Sequence, residues 1–512
     1  MHGRALKRVG AVLALAPLPL AASAAPGCAS VEQFLVGKAT SVTCFHSDDL
    51  RTANTSTTNS ITPKDNSITT FADGTPLPGL ASGAGSYTPT RDRGVISNGA
   101  APSTGPVPGI QVEGWFADDT TKQARFVLRF PDDWNGRLVV AGASGTRSEY
   151  NGDFAWSDYV LPKGYAYASQ NKGVLNFYIV SAASPTQPAP DTCRVNPPGG
   201  LLSQFWVHFY DVDPDKPFTQ WTQYMLQTAQ LAQSAAKANY SKFPRRIYAV
   251  GTSNGGYQVR RAIEEAPNLF DGGVDWEGTY VAPTENILVD LPVAVKNYPD
   301  YVASGYNASS VAAQNILAAG YPPDIVHTDA TSGKVTSLWG SYYNDFWEVT
   351  ACQWQQRFDP TYQTYTAGLG NYDFLLRLGL PGVLDSITAV TTTGKIKKPL
   401  ITVAGTMDAL LPIKHQARAY EDAVDASRKG NNDKRNAQYR LYEVQNGNHI
   451  EAYVTPFPEL VEIQPHAQKA FDLLVAHVED NAPLPPSQCI PKGGAISPDP
   501  SEPGNCAQLL AP

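Results

Sequence analysis

Residues 246–265 read RIYAVGTSNGGYQVRRAIEE. Arg246 to Val250 is a short run of branched, aromatic and small residues, as in a buried strand. Gly256 to Glu265 has no Gly or Pro after its first residue, and Pro267 stops it, so it reads as a helix. Only the turn Gly251-Thr252-Ser253-Asn254-Gly255 separates the two. A strand that passes so abruptly into a helix belongs to a parallel sheet, where each helix crosses back over a face and buries it.

The same alternation recurs along the chain. Residues 110–115, 125–130, 138–141, 165–168, 273–276, 399–404 and 439–444 read as strands. Residues 218–240 carry Trp221, Met225, Ala229, Leu231 and Ala235 at helical spacing, and 465–478 read as a last helix. The expected class is α/β, with a mostly parallel sheet and helices on both faces. Residues 25–105 are rich in Ser, Thr, Asn, Gly and Pro, with little to bury, so an irregular N-terminal wrap is expected there. The core then falls into 106–282 and 393–482, followed by a tail at 483–512. Between them, 283–392 breaks the pattern and concentrates aromatics in SLWGSYYNDFWEVTACQWQQRF, as an inserted lid would. Most of these rings are expected to form the lid's own core, with Tyr343, Trp347 and Trp354 as candidates for contact with a substrate.

Residues 1–24 read as an export signal: Arg4, Lys7 and Arg8, an apolar run from Ala11 to Leu20, then Ala22-Ser23-Ala24. That run is too short to span a bilayer, so no membrane anchor is expected. A secreted or periplasmic protein follows, whose formal charge of −8 becomes about −11 once the leader's three cations are gone. No basic patch points to nucleic acid. The six cysteines all lie beyond the leader, and an even count in an exported chain suggests disulfides. Fifteen pairings are open. The short-loop choices are Cys28–Cys44 and Cys489–Cys506, which leave Cys193 with Cys352.

Ser253 stands between Gly251 and Gly255 in the G-x-S-x-G spacing of a nucleophile elbow. The glycines are required sterically, because side chains there would strike the strand or the helix. The turn exposes the hydroxyl at the helix N-terminus and aims the Asn254 amide at a developing oxyanion. A serine needs a base, and the base needs an acid. Asp408 follows the strand in PLITVAGTMDALLP, and His449 follows the strand in YRLYEVQNGNH. Both lie beyond C-terminal strand ends, where open α/β sheets bind ligands. The chain has eight histidines. His2 lies in the leader, His46 in the wrap, His327 in the insertion and His208 ahead of the elbow, while His415, His466 and His477 lie on expected helices. Asp275 and Glu277, after the strand that follows the elbow, are alternative acids. A second oxyanion donor is expected from the loop Gly142-Ala143-Ser144-Gly145-Thr146, at the amide of Gly142 or Ala143. H-E-x-x-H, P-loop and strand-linked G-x-G-x-x-G motifs are absent from the sequence, and neither a metal nor a cofactor is expected.

The SNGG elbow, the aromatic insertion, GTMDALLP and NGNH together resemble the α/β-hydrolases, over roughly residues 110–480. Within that superfamily they are similar to secreted esterases of the tannase and feruloyl esterase type and of the 3-hydroxybutyrate oligomer hydrolase type. Tannases carry a disulfide-linked Cys beside the Ser and the His, where this chain has Thr252 and Ile450. The resemblance implies an α/β-hydrolase fold and a serine hydrolase that cleaves carboxylic esters of small or oligomeric substrates through an acyl-enzyme. An amidase with the same triad, and a non-catalytic binding protein on this scaffold, remain open. The oligomeric state is not legible in the sequence.

Overall fold

The computed structural model describes residues 26–54, 61, 105–121, 123–145, 147–175, 177–181, 192–195, 205–212, 216–362, 371–429 and 438–512. The expected export signal lies outside them. Among the described residues ten strands form one sheet. They are β1 (Ala39–Ser47), β2 (Gly109–Phe116), β3 (Arg125–Pro131), β4 (Arg137–Gly142), β5 (Ala166–Gln170), β6 (Arg246–Thr252), β7 (Gly272–Trp276), β8 (Leu400–Gly405), β9 (Tyr439–Val444) and β10 (Gln488–Ile490). Their spatial order is β1-β2-β3-β5-β4-β6-β7-β8-β9-β10. The pairs β1–β2, β2–β3 and β3–β5 are antiparallel, and every pair from β5 to β10 is parallel.

Alternate residues of the central strands enter two cores, one on each face. Val139 and Ala141 of β4 and Tyr248 and Val250 of β6 join the larger core, and Leu138, Val140, Ile247 and Ala249 join the other. This is why these strands read as continuous apolar runs. The helices α1 (Pro26–Leu35), α2 (Gln220–Tyr240), α3 (Asn254–Glu265), α4 (Ile287–Ala303), α5 (Val311–Ala318), α6 (Glu348–Phe358), α7 (Ala419–Lys429) and α8 (Gln464–Asp480) supply much of the rest. α2 buries Trp221, Met225, Ala229 and Ala235 on one side, as its spacing implies, and Leu231 with them.

The N-terminal region departs from an irregular wrap. Residues 26–35 form α1, and 39–47 form the edge strand β1, paired in register with β2. The disulfide Cys28–Cys44 ties this helix to this strand. Cys193–Cys352 and Cys489–Cys506 also form. The segment 483–512 likewise contributes β10 to the sheet. A second, antiparallel sheet of three short strands (Phe177–Ser181, Cys193–Val195 and Phe205–Phe209) went unread in the sequence, because each strand is too short to show a period. α4, α5 and α6 fall in the aromatic segment between β7 and β8. No described helix is long and apolar enough to cross a membrane.

Candidate active site

The chain leaves β4 for β5 on one side and later returns to β6 on the other, so the sheet changes winding direction between β4 and β6. A crevice opens at such a point. Ser253 lies there, between the end of β6 and the start of α3, with φ +58° and ψ −125°. A non-glycine residue rarely takes a positive φ. It is held by the Ser253 amide, which donates to Trp276 O at 2.9 Å, and by Ser253 O, which accepts from Tyr257 N at 3.1 Å. A Cβ on Gly142 would lie 2.6 Å from Gly255 O, so β4 and the elbow pack backbone to backbone. Thr252, beside the serine, accepts from the Trp156 indole at 3.4 Å.

Asp408 follows β8. Its Oδ1 accepts from the amides of Leu410 at 2.8 Å and Leu411 at 2.7 Å, and its Oδ2 lies 2.7 Å from His449 Nδ1. His449 Nε2, the opposite ring nitrogen, has no hydrogen-bond partner, and no described hydrogen bond joins it to Ser253 Oγ. Ser253 and His449 line the same cavity, of about 210 Å³. The loop that carries His449 is braced from two sides. Tyr342 donates to Asn448 Oδ1 at 2.8 Å, and Asn448 Nδ2 donates to Ile450 O at 2.8 Å. Asn446, at φ +64°, exchanges hydrogen bonds with residues 509–511: its amide donates to Leu509 O, its Nδ2 to Ala511 O, and its Oδ1 accepts from Ala511 N.

The alternative acids separate. Asp275 is fully buried and committed elsewhere, to Arg260 Nε at 2.6 Å, Thr402 Oγ1 at 2.9 Å and Gly278 N at 2.7 Å. Glu277 stays close, with Oε2 3.3 Å from His449 Nδ1. Burial pushes its carboxyl well above the usual range, and the Asp408 and Glu451 carboxylates push it further. Glu277, Asp408 and His449 place one donor atom each within 4.8 Å of one another, the grouping closest to a metal site among the described residues. Two amides and the imidazole already occupy Asp408, while Glu277 Oε2, 3.3 Å from His449 Nδ1, has no hydrogen-bond partner.

The oxyanion expectation shifts. Gly142 ends β4 and does not line the cavity, and the Ala143 amide donates to Gln258 Oε1 at 3.0 Å. The Ser144 amide donates to Asn151 Oδ1 at 2.8 Å. Asn254 and Gly145 line the cavity, and Asn254 is the first residue of α3, so its amide falls among the helix's unpaired donors. Of the three aromatics, Trp354 lines the cavity. Tyr343 instead stacks on Tyr298 at 4.5 Å, and the buried Trp347 donates its indole N–H to Ala409 O at 2.6 Å. The α6 side of the wall is Phe346, Val349, Thr350, Gln353 and Trp354. The lining also includes Phe177, Val207 and Phe209 of the small sheet, and Ile287, Leu410, Leu411 and Ile450.

Arg147 also borders the cavity and was missed, although it stands just past the Gly-Ser loop. It pairs with Asp211 through Nε at 3.0 Å and Nη2 at 2.6 Å. Burial alone would raise the Asp211 carboxyl, but Arg147, Arg357 and the Gln353 amide hold it down at about 2. No local signal links residues so far apart in the chain.

Comparison with known proteins adds to this geometry. The family model described as 3HB-oligomer hydrolase matches residues 379–507, which include Asp408 and His449 but not Ser253. D-(-)-3-hydroxybutyrate oligomer hydrolase of Burkholderia lata is 34% identical over 124 residues, 23% of this chain and 17% of that protein. The Burkholderia thailandensis enzyme is 35% identical over 120 residues, 22% of this chain and 16% of that protein. The chain thus matches about a sixth of these relatives' length. Feruloyl esterase B from Aspergillus oryzae aligns over 89% of this chain and 90% of its own, with a TM-score of 0.46 and 12% identity. Tannin acyl hydrolase from Aspergillus niger aligns over 76% and 82%, with a TM-score of 0.42 and 12% identity. By its strand order and its elbow the chain has the α/β-hydrolase fold, and over residues 379–507 it is similar to the 3HB-oligomer hydrolases.

Proposed function

We propose that the protein is a serine hydrolase of carboxylic esters. One observation carries this reading: His449 is held through Nδ1 by Asp408 at 2.7 Å, and its free Nε2 belongs to a cavity shared with the elbow serine. Ser253 Oγ attacks the ester carbonyl while His449 Nε2 takes its proton. Asp408 keeps the Nδ1–H tautomer and stabilises the imidazolium. The amides of Asn254 and Gly145 receive the oxyanion, and each such donor contributes about 3–4 kcal/mol to the transition state. The proton then passes to the leaving alcohol, and water releases the acyl group.

The mostly apolar wall suits acyl or alcohol groups without charge. The named relatives favour short hydroxyalkanoate oligomers, and the ring of Phe177, Phe209, Phe346 and Trp354 also admits aromatic acid esters. Three disulfides fit an exported enzyme. The test is hydrolysis of p-nitrophenyl butyrate, hydroxybutyrate oligomers, aromatic acid esters and matched amides. Ser253→Ala is expected to lower kcat on the esters roughly a millionfold. A Ser253→Ala protein that keeps its activity, or a native protein that a fluorophosphonate leaves unlabelled, would sink the proposal.

A further inference from the structure

Glu277 is not needed by the mechanism above, yet its position is costly. It follows β7 directly and holds φ +53°, a conformation that a side chain with a Cβ rarely adopts. Its carboxyl is almost wholly buried. Such outliers survive where the surroundings impose them, and they cluster at functional sites. The surroundings here are specific. The Glu277 amide donates to Val403 O at 2.8 Å, its Oε1 accepts from Gly405 N at 3.3 Å, and its Oε2 faces His449 Nδ1 at 3.3 Å. The imidazole therefore has two carboxyl groups beside one nitrogen, from the ends of β7 and β8, at 3.3 and 2.7 Å.

Two adjacent carboxyls in a dry site cannot both ionise easily, and their surroundings decide which one does. Asp408 receives two backbone amides on Oδ1. Glu277 receives a single long one, and it is faced by Asp408, Glu451 and the Tyr342 phenol as well as by His449. Burial first, then the two carboxylates, hold its proton on, and the Gly405 amide and the Trp276 indole oppose them only in part.

We propose that Glu277 is a proton-bearing second carboxyl behind the His449–Asp408 pair, a positioning residue that ionises and takes over Nδ1 when the Asp408 charge is removed. In the native protein it fills the space behind the imidazole without adding a second negative charge. Once Asp408 is gone, the larger of the two carboxylate repulsions on Glu277 is gone, while burial and Glu451 remain, so ionisation comes at high pH. Its proton leaves to solvent, and the carboxylate accepts Nδ1–H in place of Asp408. This rests on the serine-hydrolase reading of the site.

The test is a cycle of Asp408→Ala, Glu277→Gln and the double variant, assayed by kcat/KM on p-nitrophenyl butyrate from pH 5 to 10. Loss of the triad acid alone ordinarily costs about 10⁴-fold. Asp408→Ala is expected to lose only about 10²-fold at high pH, with a rising limb that reports Glu277 ionisation. The double variant is expected to lose roughly 10⁴-fold and that limb, whereas Glu277→Gln alone costs less than tenfold. A second readout is the low-field proton resonance of His449 Nδ1, expected to persist in Asp408→Ala at high pH and to vanish in the double variant. Asp408→Asn, which keeps the side-chain volume, replaces Asp408→Ala if the latter does not fold. An Asp408 variant already down about 10⁴-fold, with no further loss on Glu277→Gln, overturns the inference. A native protein without esterase activity defeats the functional reading instead, and the proton resonance still decides the fate of Glu277.

Discussion

Two acidic residues two positions apart in the sequence do different work. Asp275 is locked to Arg260 in a fully buried ion pair, and Glu277 reaches the imidazole. Removing one partner of a buried pair costs about 3–5 kcal/mol. Asp275→Ala should therefore lower the free energy of unfolding, measured by denaturant titration, by that amount while the folded fraction still reacts with a fluorophosphonate. Equal losses of stability and of labelling rate per folded molecule would contradict this assignment. The elbow makes a similar demand on its glycines. A Cβ on Gly142 would meet Gly255 Cα at 2.9 Å, so Gly142→Ala is expected to displace the serine and slow labelling at least tenfold, as positioning errors of about 1 Å do. The placement of Ser253, Asp408 and His449 just beyond strand ends was legible, because the neighbours of each announce the strand. The commitment of the Ala143 amide was not, since its partner, Gln258, lies 115 positions away.

The insertion between β7 and β8 shows where local sequence stops being informative. Tyr343, Phe346, Trp347, Trp354 and Phe358 crowd overlapping faces of α6 and of the helical turn before it, so the sequence does not say which of them meets the cavity. Contact with the small antiparallel sheet decides it: positions 346, 349, 350, 353 and 354 form one helical stripe on the cavity, and Tyr343 and Trp347 turn to Tyr298. The disulfide Cys193–Cys352 fixes that contact across a sequence separation of 159 residues. Chain entropy alone predicts roughly 5 kcal/mol from closing such a loop, and native bridges generally contribute about 2–5 kcal/mol. Cys352→Ser is expected to lower stability within that range and to raise KM more than it lowers kcat, because the wall loosens while Ser253, Asp408 and His449 stay in place. Thermal unfolding and steady-state kinetics on one ester measure both. A kcat effect larger than the KM effect would place the bridge in the triad's support instead. Trp354→Ala should likewise act through KM, whereas Tyr343→Ala, outside the cavity, should act through stability.

Across the whole molecule, buried carboxyls tie stability to pH. Burial raises Asp290 to about 7, Asp324 to about 6 and Asp158 to about 6. A carboxyl whose pKa is raised by folding binds more protons in the folded state. Its contribution is therefore fully present below its unfolded value near 4 and is lost as pH rises through about 6 to 7. Asp211, held at about 2, has the opposite sign, and its contribution is lost only as pH falls through that value. Tm is accordingly expected to be higher at pH 5 than at pH 8, with Asp290→Asn narrowing the difference; a protein that melts later at pH 8 would contradict this. The parallel order of the sheet was legible from the succession of strands and helices. The places of β1 and β10 were not, because edge strands are recruited by partners distant in sequence. Residues 509–511 make the same point for the histidine loop, which they hold through Asn446. During synthesis the ribosome makes Ser253, Asp408 and His449 well before it makes that brace. A chain interrupted at residue 508 would contain Ser253, Asp408 and His449 and still lack the hydrogen bonds that hold Asn446, three residues before the imidazole.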